Sequence, residues 1–557
     1  MEGIPDKSIG DLSNLSTLQL QTPKEEKQKE TRKKNGLVFL SLLLIFIFAP
    51  FIVMLTSSAL SYFGKISFAK YKNSASKFFF ITSLKLSEAN KYYLSYIVRT
   101  PLLGDFFANL DRESVVIIYS DRVALSTIYI TESLINYIDK ILLKKEYGKE
   151  LLNEMHYQLD SIYKDASFLE AELKNTELNS IILSGLVVGK TDLTDLKRRT
   201  LFFKEVVEES EGLFFRSNES KYLILFQNDK KLRATGGFIE VLGVLNLSSG
   251  VVSDIELVKP ESIDKNISGN VDPPLLLRKY LHQDTWSLSE SNWDPDFPTS
   301  ATKAEWFIDK AMDLRIDGVV SVNLGALKNF SPEDLNENLL DNFKDYWRQI
   351  STSEKTELLS LLSESFDQKD FQIFVNNNKI LDSLNDLGWD GSLTHQNCTN
   401  NCYSDFVGLF ETTTEGESGS EIKRLMTLRV SFEEKLLKRK LIYYIENSSA
   451  SDYKMNLRLF IPGENGVSKV EVSSGDKKQE VIADTERLRG YKISGLEVEV
   501  PPHGARAIIF NWEGESSFDA KEKSEYKLFI EKQSGIKDIP VEIEILGNNI
   551  ENFKSDT

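Results

Sequence analysis

The stretch with the clearest chemical potential is 226–239, FQNDKKLRATGGFI. An apolar run enters a turn that carries a cation, a hydroxyl and two adjacent glycines, and then resumes. Gly236 and Gly237 allow positive φ and close backbone approach. Their amides could cradle an anion beside the fork of donors on Arg233, with Asn228 and Thr235 adding polar groups. The competing reading is structural: the glycines make a bulge or tight bend, and Arg233 pairs with a carboxylate. Local physics favours the structural reading and keeps the anion site as a candidate.

A second constellation is 292–301, NWDPDFPTSA, which leads into an amphipathic helical pattern. Pro298 fits a first helical turn, with Thr299 or Ser300 as a cap. Asn292, Trp293, Asp294 and Asp296 are candidate ligand-binding residues, and the two carboxylates could hold a divalent cation or a water. Acidic residues ahead of a helix are also favoured by its dipole, which is the simpler explanation. Asp317, ahead of the apolar run 318–322, reads as a turn residue.

The two cysteines, Cys398 and Cys402, are close enough in sequence to close a small disulfide loop in an oxidising compartment. A zinc site built from them and His395 would lack a fourth ligand, so no metal site is expected there. Phosphate-loop, His-Glu-x-x-His and Gly-x-Ser-x-Gly signatures are absent, and the four histidines are scattered. The sequence therefore implies no cofactor and leans away from catalysis. With 67 basic against 84 acidic residues the net charge is −17, which disfavours nucleic acid and anionic lipid as general partners.

These residues are carried on a chain of 557, long enough for several domains. No charge lies between Lys34 and Lys65, and residues 37–55 are interrupted only by Ser41 and Pro50. Such a run matches the thickness of a bilayer core as a helix, with a kink expected near Pro50. An uncleaved anchor at 36–63 is the reading; a cleaved signal is the alternative. Lys24, Lys27, Lys29, Arg32, Lys33 and Lys34 precede the span, against Lys65, Lys70, Lys72 and Lys77 after it. That asymmetry places the N-terminus in the cytoplasm and the bulk of the chain outside, in contact with the bilayer through one span. No later run approaches a second span.

Residues 1–35 read as a disordered cytoplasmic tail. Residues 65–217 read as a helical stalk or bundle, because Leu151, Met155, Leu159, Ile162, Ala166 and Leu169 recur at spacings of three and four. Strand-like runs mixed with crossover-length helical patterns indicate a central α/β sheet domain over 219–392. Alternation at 455–461, 496–500 and 541–545 indicates a C-terminal β-sandwich of about eight strands over 421–547, with 412–420 as a linker or hairpin loop into it. In the first of these runs Asn456, Arg458 and Phe460 fall on the alternate face. The whole is a multidomain α+β chain with a single N-terminal transmembrane helix.

The segments LRATGGFI (232–239) with Asn228, Asn292 and Trp293 with DFPTSA (296–301), and DGVV (317–320) resemble a bacterial membrane-anchored domain-of-unknown-function family, number 4012. That resemblance implies one span, a helical stretch and an exported α/β domain, and no established activity. More distantly, the order of elements resembles the LytR-CpsA-Psr cell-envelope proteins. This second resemblance implies transfer of glycopolymers from polyprenyl pyrophosphate, helped by magnesium, with Arg233 where a pyrophosphate-binding arginine is expected. The region after Arg233 lacks that family's aspartate, and 258–261 (VKPE) lacks its arginine. The expectation is a cell-envelope module that binds or scaffolds, with cell-wall glycan or envelope proteins as partners; phosphotransfer is the alternative.

Overall fold

The computed structural model describes residues 23–100, 104–144, 146, 148–175, 190–210, 213, 219–330, 335–393, 402–433, 436–463, 466–475, 477–515, 525–537 and 539–547. They fall into two compact units. The first comprises 1–70, 74–125 and 167–188, and the second 71–73, 126–166 and 189–557.

The first unit is helical. Helix α1 spans Pro23–Ala69, α2 Asn73–Ile97, α3 Gly104–Ile138 and α4 Lys149–Asn175. Helices α3 and α4 each contribute residues to both units. The cytoplasmic tail expected to be disordered to residue 35 is helical from Pro23 on; residues 1–22 lie outside the described residues. The reason is local: proline suits a first helical turn, and KEEKQKETRKK consists mostly of strong helix formers. Among the described residues, two helical segments are long and apolar enough to cross a membrane, Arg32–Ala69 and Phe107–Lys144. The first accords with an N-terminal anchor or a signal sequence. The second was hidden in the sequence because Asp111, Arg112, Glu113, Asp121 and Arg122 interrupt its apolar residues.

The second unit contains α5 (Lys190–Glu208) and a five-stranded sheet built from β1 (Glu219–Arg233), β2 (Gly236–Ser248), β3 (Val251–Val258), β4 (Gly318–Asn323) and β5 (Phe371–Val375). The strand order is β3-β2-β1-β4-β5. β1 and β2 form an antiparallel hairpin, and β1 pairs parallel with β4. Between them lie α6 (Leu275–Leu281) and α7 (Phe297–Met312). Helix α7 buries Phe297, Ala301, Ala304, Phe307 and Ile308 against Leu223, Leu225 and Val319 of the sheet. Its cap is Asp296, which accepts from the amide of Thr299, rather than Thr299 or Ser300. Helices α8 (Leu339–Gln349), α9 (Thr352–Asp367) and α10 (Asn378–Leu387) complete the mixed region.

From β6 (Cys402–Glu415) onward the regular elements among the described residues are all strands. β6, β7 (Ile422–Glu433), β8 (Leu436–Asn447), β9 (Tyr453–Pro462), β10 (Val467–Ser474), β11 (Lys477–Val481), β12 (Asp484–Leu488), β13 (Tyr491–Val500), β14 (Gly504–Glu515), β15 (Glu525–Glu531) and β16 (Val541–Leu546) form two sheets. Their orders are β11-β10-β14-β8-β7-β16 and β12-β13-β9-β6-β15. Leu428, Leu441, Ile445, Ile508 and Phe510 of the first sheet share one core with Leu409, Leu457, Leu459 and Val498 of the second. Residues 412–415, expected in a linker, belong to β6. Residues 405–413 of that strand are buried without a break, so this stretch carries no alternation to read.

Candidate functional site

The turn singled out by its glycines joins β1 to β2, and the structure places it in the interior. Arg233, the last residue of β1, is 7% exposed. Its Nε and Nη2 donate to the two carboxylate oxygens of Glu290 at 2.5 and 2.7 Å. Its Nη1 donates to the carbonyls of Leu232 (2.8 Å) and Thr413 (3.1 Å). Glu290 is itself buried, in a short 3-10 segment, Leu288–Trp293. The anion expected at Arg233 is therefore a carboxylate of the same chain, held in the two-pronged geometry that guanidinium favours. Breaking such a buried pair from one side typically costs about 3–5 kcal/mol, because the other charge is left without a partner.

The glycines serve close packing. Gly236 has φ +137°, and a Cβ there would collide with the side-chain oxygens of Gln227 and Asn323. A Cβ on Gly237 would collide with the Asn228 carbonyl. The Gly237 amide, expected to face an anion, donates to Gln227 Oε1 at 3.2 Å. Asn228 is occupied across the hairpin: its Nδ2 donates to Glu240 at 2.7 Å, while its Oδ1 accepts from the amide of Lys230. Thr235 bridges to Ser534 from the far end of the chain. The neighbouring Gln533 donates to the carbonyls of Arg233 (2.9 Å) and Glu411 (2.8 Å), so the C-terminal segment closes over the turn.

The second constellation meets the first. Asn292 Nδ2 donates to the Gly237 carbonyl at 2.8 Å. Trp293 lies under the guanidinium of Arg458, 3.7 Å from ring centre, and its carbonyl accepts from Arg458 Nη2 at 2.9 Å. Arg458 is 2% exposed, and burial pushes its pKa down to about 10, which still leaves it a cation at neutral pH. Asp294 and Asp296 both form ion pairs with Arg489, on the turn between β12 and β13. Burial raises the pKa of Asp294, and the Arg489 charge opposes that rise. A magnesium ion implied by a phosphotransferase reading would need these carboxylates, and the facing guanidinium does not fit it. Cys402 is disulfide-bonded; Cys398 lies outside the described residues.

Every candidate in the two constellations thus contacts another part of the second unit. Arg233 reaches the 3-10 segment and β6, Trp293 reaches β9, and Asp294 and Asp296 reach the β12–β13 turn. The partners Glu290, Arg458, Arg489 and Gln533 carried no signal of their own in sequence. The exception is Arg458, whose face of β9 also holds the apolar Phe460. That face is buried against α6 and Trp293 through Leu276, Leu277 and Tyr280.

Residues 217–331 match a family described as protein of unknown function, DUF4012. This segment belongs to that family. The DUF4012 segment contains both constellations and the sheet from β1 to β4, and its end falls shortly after β4. No curated protein matches the chain. Among solved structures, a Legionella pneumophila protein named for a provisional assignment to nutrient binding aligns at 12% identity with a TM-score of 0.14. The alignment covers 17% of this chain and 39% of that one, a likeness too slight to bear on fold or function.

Proposed function

We propose that the protein is a membrane-anchored module of the cell envelope that binds or scaffolds and does not catalyse. In this reading α1 holds it in the membrane with the N-terminus in the cytoplasm. The DUF4012 segment and the two C-terminal sheets, forming a β-sandwich, lie outside. Cell-wall glycan or other envelope proteins are the partners.

The observation that carries the reading is the saturation of Arg233. A phosphotransferase requires a cation free to meet the leaving phosphate and a carboxylate free to hold a metal. Here the guanidinium is committed to Glu290 and two carbonyls, and Asp294 and Asp296 are committed to Arg489. Groups arranged in this way join the α/β sheet to the strands beyond it, which suits a part that carries load or presents a surface. Supporting the location are the uncharged run between Lys34 and Lys65 and the basic residues ahead of it.

The test is to incubate the detergent-solubilised chain with isolated cell wall and, separately, with polyprenyl-pyrophosphate-linked glycan and magnesium. Retention on cell wall without glycan transfer supports the reading. Magnesium-dependent transfer overturns it.

A further inference from the structure

Helices α1 and α2 run antiparallel within the first unit, in a register fixed by three hydroxyl donors on α2. Tyr93 donates to the Phe46 carbonyl (2.9 Å), Ser83 to that of Ser57 (2.8 Å) and Ser76 to that of Gly64 (2.9 Å). In each pair the residue numbers add to about 140, so Ile97 at the end of α2 lies level with about residue 43 of α1. Helix α3 runs back along the same stretch. Phe107 packs on Phe51 with ring centres 5.9 Å apart, and Ser61 donates to Asp121 at 2.6 Å.

This register conflicts with a lone span. The uncharged part of α1 is 35–64. The α2–α3 hairpin flanks it from about residue 43 onward, leaving about eight residues, roughly 12 Å of helix, unflanked. A bilayer core of about 30 Å needs about twenty. If α1 crosses, the hairpin enters the bilayer with it.

The side chains are distributed accordingly. Between the helices, Ser57, Ser61, Ser83, Ser87, Asn90 and Asp121 are each 3% exposed or less. Facing outward, Phe48, Ile52, Leu55, Tyr92 and Tyr96 are each more than half exposed. The small polar residues share the interior with Phe80, Leu94, Phe107, Leu110 and Val116, and the outward apolar side chains stand beside Lys85, Glu88, Arg112 and Arg122. Polar contacts between helices with large apolar residues on their outer face match helix packing in lipid. Pro50 removes the amide that would bond the Phe46 carbonyl, and the Tyr93 hydroxyl supplies the missing donor, as a dry environment requires. Among the ionisable groups at that depth, Lys91 pairs with Asp111 (3.1 Å) and Glu88 with Arg122 (2.7 Å).

We infer that α2 and the first half of α3 form a re-entrant helical hairpin embedded beside α1, with its outer face on lipid acyl chains. The inference rests on the reading of α1 as a membrane anchor and adds two further helices to the embedded part.

The test uses the full chain in phosphatidylcholine vesicles, labelled with one fluorophore at F48C on α1, Y96C or Y92C on α2, or I482C as an aqueous control. Replacing the acyl chains with brominated ones is expected to at least halve emission at positions 48 and 96 and to leave 482 unchanged. Quenching at 48 with none at 96 or 92, where a water-soluble maleimide reacts instead, overturns the hairpin and leaves the anchor standing. Positions 96 and 92 silent to both reagents mean a protein covers them, which also overturns it. No quenching at 48 removes the anchor reading itself.

Discussion

The guanidinium of Arg458 lies 3.7 Å from the ring centre of Trp293 and donates to the carbonyl of the same residue. The contact joins β9 to the end of the segment that also supplies Glu290, so one short stretch of chain receives both Arg233 and Arg458. Arg458 Nε has no hydrogen-bond partner among the described residues, and the charge is met by the ring face together with the nearby carboxylates of Asp294 and Glu486.

Trp293→Ala is therefore expected to destabilise the protein by about 3–5 kcal/mol, since it removes a buried indole together with the ring face that lies against the Arg458 cation. Arg458→Met, which keeps most of the volume and removes the charge, is expected to cost less, under about 2 kcal/mol. Denaturant unfolding of the solubilised protein measures both. Equal losses would mean that the cation matters as much as the ring.

Arg233 and Glu290 form a pair whose cost appears when one side is removed. Arg233→Met and Glu290→Leu are each expected to lose about 3–5 kcal/mol, and the double variant is expected to recover a substantial part. A double-mutant cycle reads the coupling directly. Additive losses would show that the two side chains act separately.

Gly236 and Gly388 both have positive φ, at +137° and +73°, but only Gly236 is crowded; a Cβ at Gly388 would meet nothing within 4 Å. Gly388→Ala is expected to cost about 1 kcal/mol from backbone strain alone. Gly236→Ala should cost about 3 kcal/mol, because Gln227 and Asn323 must also shift. Paired melting curves separate strain from crowding.

Glu305 on α7 gives a pH signature. Burial pushes its pKa from 4.5 up to about 7, the charge of Asp317 adds to the rise, and the hydrogen bond from Asn376 opposes it. The folded state thus binds the extra proton between pH 4.5 and 7, and stability falls as pH rises through that window. Glu305→Gln is expected to remove that fall, making the variant more stable than the parent by about 1–2 kcal/mol at pH 8, after allowance for partial exposure, with little difference near pH 4. Melting temperatures of both proteins across pH 4–8 check the sign.

Much of the architecture was legible in the sequence, and the failures have physical causes. The helical stripe through Met155, Leu159, Ile162 and Ala166 is buried as its spacing requires. The strands around 222–226 and 318–322 fell where apolar runs met turn residues. β6 was missed at 412–415 because Thr412 and Thr413 read as loop residues, whereas both are buried in the sheet. Arg458 and Asn456 were placed only on the alternate face of their strand, and alternation alone does not reveal that a second layer covers that face. In the two constellations the residues were found but their partners were not. Glu290 lies 57 residues from Arg233 and Gln533 lies 300 away, and no spacing rule connects such distances. The structural alternative at Arg233, pairing with a carboxylate, was already the one that local physics favoured.

The central claim is that the 233–237 turn is a joint and not a reactive centre. Its most direct test is glycan transfer from a polyprenyl-pyrophosphate donor, with magnesium, by the parent protein and by Arg233→Lys. A joint predicts no transfer by either and a lower melting temperature for the variant. Transfer by the parent that disappears in Arg233→Lys, with the variant still folded at the assay temperature, would contradict it.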